Sequence, residues 1–169
     1  MYNFDIIKGD IFDYIGNVDA VCITTNGTIK KNGELVMGAG VAKAFYDRYI
    51  GKINIAKRLA DKLIAGAQLS KDFTGTIEQK YNICFRCVTA EENNGTHIVS
   101  FPTKNHFKNN SSLELIERNA IRLRWFADHY KLNSIVLPSP GTGLGKLSKE
   151  EVYQILNKYF DHRFFIITK

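Results

Sequence analysis

Apolar residues follow two alternating rhythms along the chain: short unbroken runs, and stretches in which they recur every three or four positions. Tyr2 to Lys8 and Asp19 to Thr25 are runs of the first kind and read as strands. A helix is expected to begin near Gly40, with Ala42, Phe45 and Tyr49 on one side. A second covers Asn54 to Ala65, where Ile55, Leu59 and Leu63 share a face before a stop at Gly66. Gln68 to Gln79 reads as a loop. Asn82 to Thr89 and Thr96 to Phe101 read as an antiparallel pair of strands joined by the turn-rich Glu91-Glu92-Asn93-Asn94-Gly95. Ser111 with Glu114 makes a capping box for a helix carrying Leu113, Ile116, Ala120, Leu123, Ala127 and Tyr130. Ser134 to Pro138 is a further strand. Ser148 with Glu151 opens a last helix through Val152, Ile155, Leu156 and Tyr159, and Arg163 to Thr168 forms the final strand. Strands and helices interleaved in this order predict an α/β domain, a mixed sheet covered by helices on both faces.

Composition narrows this picture. At 169 residues the chain is expected to form one domain over 1–169, and 44% hydrophobic with 24% charged residues leaves no room for a long disordered tail. Lys plus Arg number 23 against 17 Asp plus Glu, an excess of +6 that favours polyanions. The cations are scattered, so a solvated basic surface and nucleic-acid contact both stay open. Three cysteines cannot all pair and no leader-like segment opens the chain, which predicts a cytoplasmic protein. No apolar run reaches the roughly 20 residues of a membrane span. Cys84 and Cys87 have half the spacing of a metal knuckle, but in an extended segment residues three apart point to opposite faces, and no second ligand pair follows. No metal or cofactor is expected, and a monomer is.

Ligands of open α/β sheets lie beyond the carboxyl ends of the strands. At such ends the chain places Gly9-Asp10-Ile11, Asn26 with Met37-Gly38-Ala39-Gly40-Val41-Ala42, Pro102-Thr103-Lys104, and Gly141-Thr142-Gly143-Leu144-Gly145. A glycine-rich turn entering a helix offers free backbone N–H groups and the positive end of the helix dipole to an anion, and two such loops suggest a diphosphate. Glycines at turns also serve plain backbone geometry. Asp10 can cap the segment after it or accept from a purine amino group. Asn26 can form a turn with Gly27 or bond a ribose. Lys104 can pair with phosphate or act as a nucleophile, and His106 reads as a loop histidine.

Taken together, Gly9-Asp10-Ile11, Thr25-Asn26, Met37 to Ala42 and Leu137-Pro138-Ser139-Pro140-Gly141-Thr142-Gly143-Leu144-Gly145 resemble the macrodomain family over nearly the whole chain. Phe101-Pro102-Thr103-Lys104-Asn105-His106 and Ser111 to Arg118 are similar to its DarG-type members, which remove ADP-ribose from DNA bases. The resemblance implies a three-layer α/β/α macrodomain that binds ADP-ribose. Asp10 and Ile11 would lie at the adenine; Met37, Gly38, Ala39, Gly40, Val41 and Ala42 would face Ser139 and Gly141, Thr142, Gly143, Leu144 and Gly145 across the diphosphate and distal ribose. Thr103 completes the site, and Asn26 and Lys104 would carry catalysis. Relatives acting on ADP-ribosylated carboxylates have an aspartate where this chain has Gly145, which favours ADP-ribosylated DNA as the partner. Because the chain stops at its last strand, a stand-alone hydrolase of phage or bacterial type is expected rather than a complete antitoxin. The alternatives are an ADP-ribose 1''-phosphate phosphatase, removal of ADP-ribose from protein side chains, and a non-catalytic reader.

Overall fold

The structure is a computed structural model that describes residues 1–79 and 84–169. The elements in chain order are β1 (Asp5–Lys8), β2 (Ala20–Thr25), β3 (Thr28–Ile29), α1 (Gly40–Tyr49), α2 (Ile55–Gly66), β4 (Gly75–Thr76), β5 (Phe85–Val88), β6 (His97–Pro102), α3 (Leu113–His129), β7 (Ile135–Pro138), α4 (Lys149–Asn157) and β8 (Phe164–Thr168). Short 3-10 turns stand at Ile11–Tyr14 and Glu91–Asn93.

Six strands form one sheet in the order β1-β8-β7-β2-β6-β5. Neighbours run parallel except β5, which is antiparallel to β6. Alternation along each strand sends side chains to two separate cores. From β2, Val21 and Ile23 join Phe45 of α1 and Leu59 and Leu63 of α2, while Ala20 and Cys22 join Ile116 and Leu123 of α3 and Val152 and Leu156 of α4. The sheet is therefore the middle of three layers, as the interleaved pattern predicts. Cys84 belongs to the α3/α4 core and Cys87 to the α1/α2 core, on opposite faces as their spacing requires. Burial pushes both thiols up, Cys87 to about 12, so they behave as small apolar residues.

Several boundaries differ from the pattern reading. β1 begins at Asp5 rather than Tyr2, because Tyr2 and Phe4 stack on each other and turn edge-on to Tyr153, while Asn3 bonds Asn157 through its backbone N–H and its side chain. The expected loop Gln68 to Gln79 contains β4, which pairs with β3 as a small separate antiparallel sheet. Of the strand expected over Asn82 to Thr89, residues 82 and 83 lie outside the described residues, and Phe85–Val88 is strand. α3 is capped by Ser112, whose hydroxyl accepts from the Leu115 N–H, and not by Ser111. Ser111 instead donates its backbone N–H to the Gly145 carbonyl, which turns it toward the second glycine loop.

One buried side chain ties the α3 layer to the end of β6. The Asn119 amide donates to the carbonyls of Pro102 and Leu115, and its oxygen accepts from the Cys84 N–H, all at 2.7 to 2.9 Å. Asn119→Ala would leave the Pro102 carbonyl and the Cys84 N–H buried without these partners. Urea unfolding should show a loss of about 3 kcal/mol, since each orphaned buried group costs ~1–3 kcal/mol; a loss below ~1 kcal/mol would show that this tie contributes little.

Candidate functional site

The three adjacent strands β7, β2 and β6 end side by side, and the loops leaving them enclose a cleft of about 470 Å³. That lies within the usual range of ~300–1,000 Å³ for small-molecule sites. Thr24, Thr25 and Asn26 come from β2, Thr103 and Lys104 from β6, and Pro138 and Ser139 from β7. The segment Val36 to Ala42 forms one wall, and Gly141, Gly143, Leu144 and Gly145 form the other. Among the described residues, Lys104 is the one ionisable side chain lining it.

Hydrogen bonds hold the first wall at the tip of β2. The Asn26 amide donates to the Val36 carbonyl and its oxygen accepts from the Thr28 N–H, both at 2.9 Å; Val36 N–H in turn donates to the Thr28 carbonyl. The Asn26 side chain thus positions the loop and keeps one N–H and one lone pair beyond these two bonds. Behind that loop α1 starts at Gly40, and Ala39 at its N-cap makes no side-chain capping bond, so the first-turn N–H groups remain open at the cleft.

The glycines divide into two sorts. Gly141 has φ 72°, and an added Cβ would lie within 3.0 Å of Ser111, Ile116 and Leu147. At Gly145 an added Cβ would collide with Ser111 Oγ and stand 2.6 Å from the Gly141 carbonyl oxygen. Packing of the loop accounts for both. Gly38 and Gly143 have φ outside the left-handed region and nothing within 4 Å of an added Cβ, so the fold itself does not demand a glycine at either. Leu144 reaches across from the second wall, 3.6 Å from where a Gly40 Cβ would be.

The expected site residues gather unevenly. Asn26, Met37 to Ala42, Thr103, Lys104, Ser139, Gly141, Gly143, Leu144 and Gly145 all line the cleft. Thr142 does not line it but braces the loop, its hydroxyl donating to Ser139 Oγ at 2.8 Å. Asp10 stands outside the lining and caps the first 3-10 turn, accepting from the Phe12 N–H at 3.0 Å, and Ile11 is buried in the α1/α2 core. Ser111 and Phe107 line the cleft without having been singled out in the sequence. A phenylalanine amid Lys104-Asn105-His106-Phe107-Lys108-Asn109-Asn110 is the signal that pattern analysis passes over. Among the described residues no three His, Cys, Asp or Glu side chains gather where they could hold a metal ion. No described helix is long and apolar enough to cross a membrane.

No family model matches the sequence. A DNA ADP-ribosyl transferase-DNA ADP-ribosyl glycohydrolase fusion protein of Thermosipho africanus is 37% identical over 70 residues, which make up 40% of this chain and 17% of that protein. The chain thus matches well under a fifth of that relative's length. Among solved structures, the DarG macrodomain of Thermus aquaticus superposes with a TM-score of 0.69 at 20% identity, covering 98% of this chain and 97% of that one. The DarG macrodomain of Mycobacterium tuberculosis gives 0.68 at 23% identity, covering 100% and 99%. Thermosipho africanus DarTG in complex with ADP-ribose gives 0.68 at 22% identity, covering 99% of this chain and 42% of that one. With a mixed six-stranded sheet between helical layers and a cleft at the carboxyl ends of its central strands, the chain has the macrodomain fold, shared with the macrodomains of DarG.

Proposed function

We infer that the chain is a hydrolase that binds ADP-ribose between its two glycine loops and removes it from modified nucleic acid. The pair Gly38 and Gly143 carries this reading. Each is a glycine the fold does not need, on opposite walls, where a side chain would stand between backbone N–H groups and a ligand. A diphosphate requires that close backbone approach, and the open N-terminus of α1 adds favourable dipole charge. In support stand the ADP-ribose complex of a structural neighbour and the glycohydrolase activity named for the sequence relative.

In this arrangement Ser139, Thr103 and the two loops surround the diphosphate, and Leu144 closes over it. Asn26 bonds the distal ribose with its remaining donor or acceptor. The adenine lies toward Asp10 and Ile11, where the Asp10 carboxylate oxygen not engaged by Phe12 meets the amino group. Lys104 acts at the anomeric carbon. The bond from that carbon to the base nitrogen breaks, its electron pair goes to the nitrogen with a proton from the Lys104 ammonium, and a water oxygen bonds the carbon and returns a proton to the amine. Free ADP-ribose and the unmodified base result.

A carboxylate at position 145 is incompatible with this loop, because Ser111 and the Gly141 carbonyl occupy its space. Chemistry that pairs a lysine with an acid at 145 is therefore closed to this chain, which favours a base over a carboxylate side chain as the acceptor.

Incubation with ADP-ribosylated DNA, ADP-ribosylated protein and ADP-ribose 1''-phosphate, read by mass spectrometry, tests the assignment. Release from DNA is expected to be the fastest; faster phosphate release, or intact substrates throughout, would replace the assignment with a phosphatase or a reader. Lys104→Ala should slow release from DNA by roughly 10²–10³-fold while calorimetry shows ADP-ribose still bound. The two sorts of glycine should also separate. Gly38→Leu is expected to shift stability by less than ~0.5 kcal/mol yet weaken ADP-ribose binding by about tenfold or more. Gly145→Asp is expected to cost ~1–3 kcal/mol of stability through overpacking.

A further inference from the structure

Lys104 lines two cavities. Besides the main cleft it borders a smaller hollow of about 180 Å³, walled by Asn105, Asn109, Asn110, Ser112, Leu115 and Arg118 among others. If ADP-ribose fills the first, the scissile bond lies at their junction and whatever carries the ADP-ribose must occupy the second. The inference therefore rests on the function proposed above and concerns the other half of the substrate.

The chemistry of the second hollow is specific. Its volume falls below the ~300 Å³ at which drug-sized sites begin, the scale of one planar ring rather than a whole nucleotide. The side chains of Asn109 and Asn110 make no hydrogen bond to any described residue, and each carries paired donor and acceptor groups of the kind that match a base edge. Glu114 on the wall is neutralised by Arg118 at 2.7 Å. At the junction Phe107 lines the main cleft with 38% of its surface exposed, and His106 stacks against it at 4.7 Å. Lys108, exposed beside that ring, forms no ion pair with any described residue. An exposed aromatic ring, a free cation and free amides within four successive positions form a surface on which a base stacks and its backbone phosphate is met. A carboxylate acceptor on a flexible protein side chain would use neither the ring nor the paired amides.

We propose that this second hollow and its rim, Phe107 to Asn110, hold the modified nucleobase and the adjoining phosphate of a single-stranded nucleic acid. Phe107 provides the stacking face, Asn109 and Asn110 read the base edge, and Lys108 meets the phosphate. Recognition is then divided at Lys104, with ADP-ribose on one side and the base on the other.

The test measures binding on a Lys104→Ala background, so that the substrate survives, with three probes: free ADP-ribose, a short oligothymidylate ADP-ribosylated on one base, and a peptide ADP-ribosylated on glutamate. The modified oligonucleotide is expected to bind about tenfold more tightly than free ADP-ribose, the gain expected of one stacked base. Phe107→Ala and the pair Asn109→Ala/Asn110→Ala should each erase most of that advantage while leaving affinity for free ADP-ribose and the melting temperature unchanged. An advantage that survives both variants, or a peptide that binds as tightly as the oligonucleotide and weakens on the same substitutions, would overturn the assignment. If free ADP-ribose failed to bind the unaltered protein, the function proposed above would fall and this inference with it; if it binds and the variants change nothing, this inference falls alone.

Discussion

Everything at the candidate site depends on β2 being paired on both sides by parallel strands. Its registers with β6 and β7 set Val21 beside Ile98 and Val136, so the three strands share one direction. Parallel neighbours require crossover connections, and those crossovers carry the helices that cover both faces. The carboxyl ends of all three strands then open at one edge, and the loops that leave them have nowhere to go but around a common cleft. Val21, Ile23, Ile98 and Val136 on one face, and Cys22, Val99, Ile135 and Leu137 on the other, are almost wholly withdrawn from water. The burial of apolar area that drives folding therefore also brings Asn26, Lys104 and Ser139 to one place.

Around this rigid base the loops are held by few but well-placed polar bonds. Asn26 links the tip of β2 to Val36. The backbone of Ser111 links the segment after β6 to Gly145, and the Thr103 N–H donates to the Thr25 carbonyl. Asn119 secures the end of β6 from the helical layer behind it. Each bond satisfies a backbone group that lies out of the reach of water, so each does structural service while it fixes a wall of the cleft. The cost of this arrangement shows at Ser111, whose hydroxyl is buried without a hydrogen-bonding partner beneath Gly145. A residue that fills the underside of the loop has settled which amino acid can stand above it.

The hydrophobic rhythm of the chain specified most of the scaffold on its own. Leu113 to Tyr130, Asn54 to Ala65 and the alternating runs at β2, β6 and β7 are long or strongly patterned, and their elements stand where the pattern puts them. Shorter features escaped it. β3 and β4 are two residues each, too brief for any period to appear, and exist because Thr28 and Thr76 meet in space. Tyr2 and Phe4 look like strand residues by themselves and lose that role to aromatic packing against Tyr153. Ser111 and Ser112 offer equivalent caps, and the Gly145 carbonyl decides between them.

The same division runs through the site. The glycine loops, Asn26 and Lys104 were legible because small and polar residues at strand ends are a local signal. Their separate tasks were not. Only the packed structure shows that Gly145 is a glycine to make room for Ser111 while Gly38 is a glycine facing open space. It also shows that the Asp10 side chain caps a turn, and that Lys104 stands where two hollows meet. Sequence determines which residues can serve at a strand end, since that depends on backbone freedom and side-chain chemistry. Tertiary structure decides what each one touches, because those partners come from segments far apart in the chain that only burial of the common core brings together.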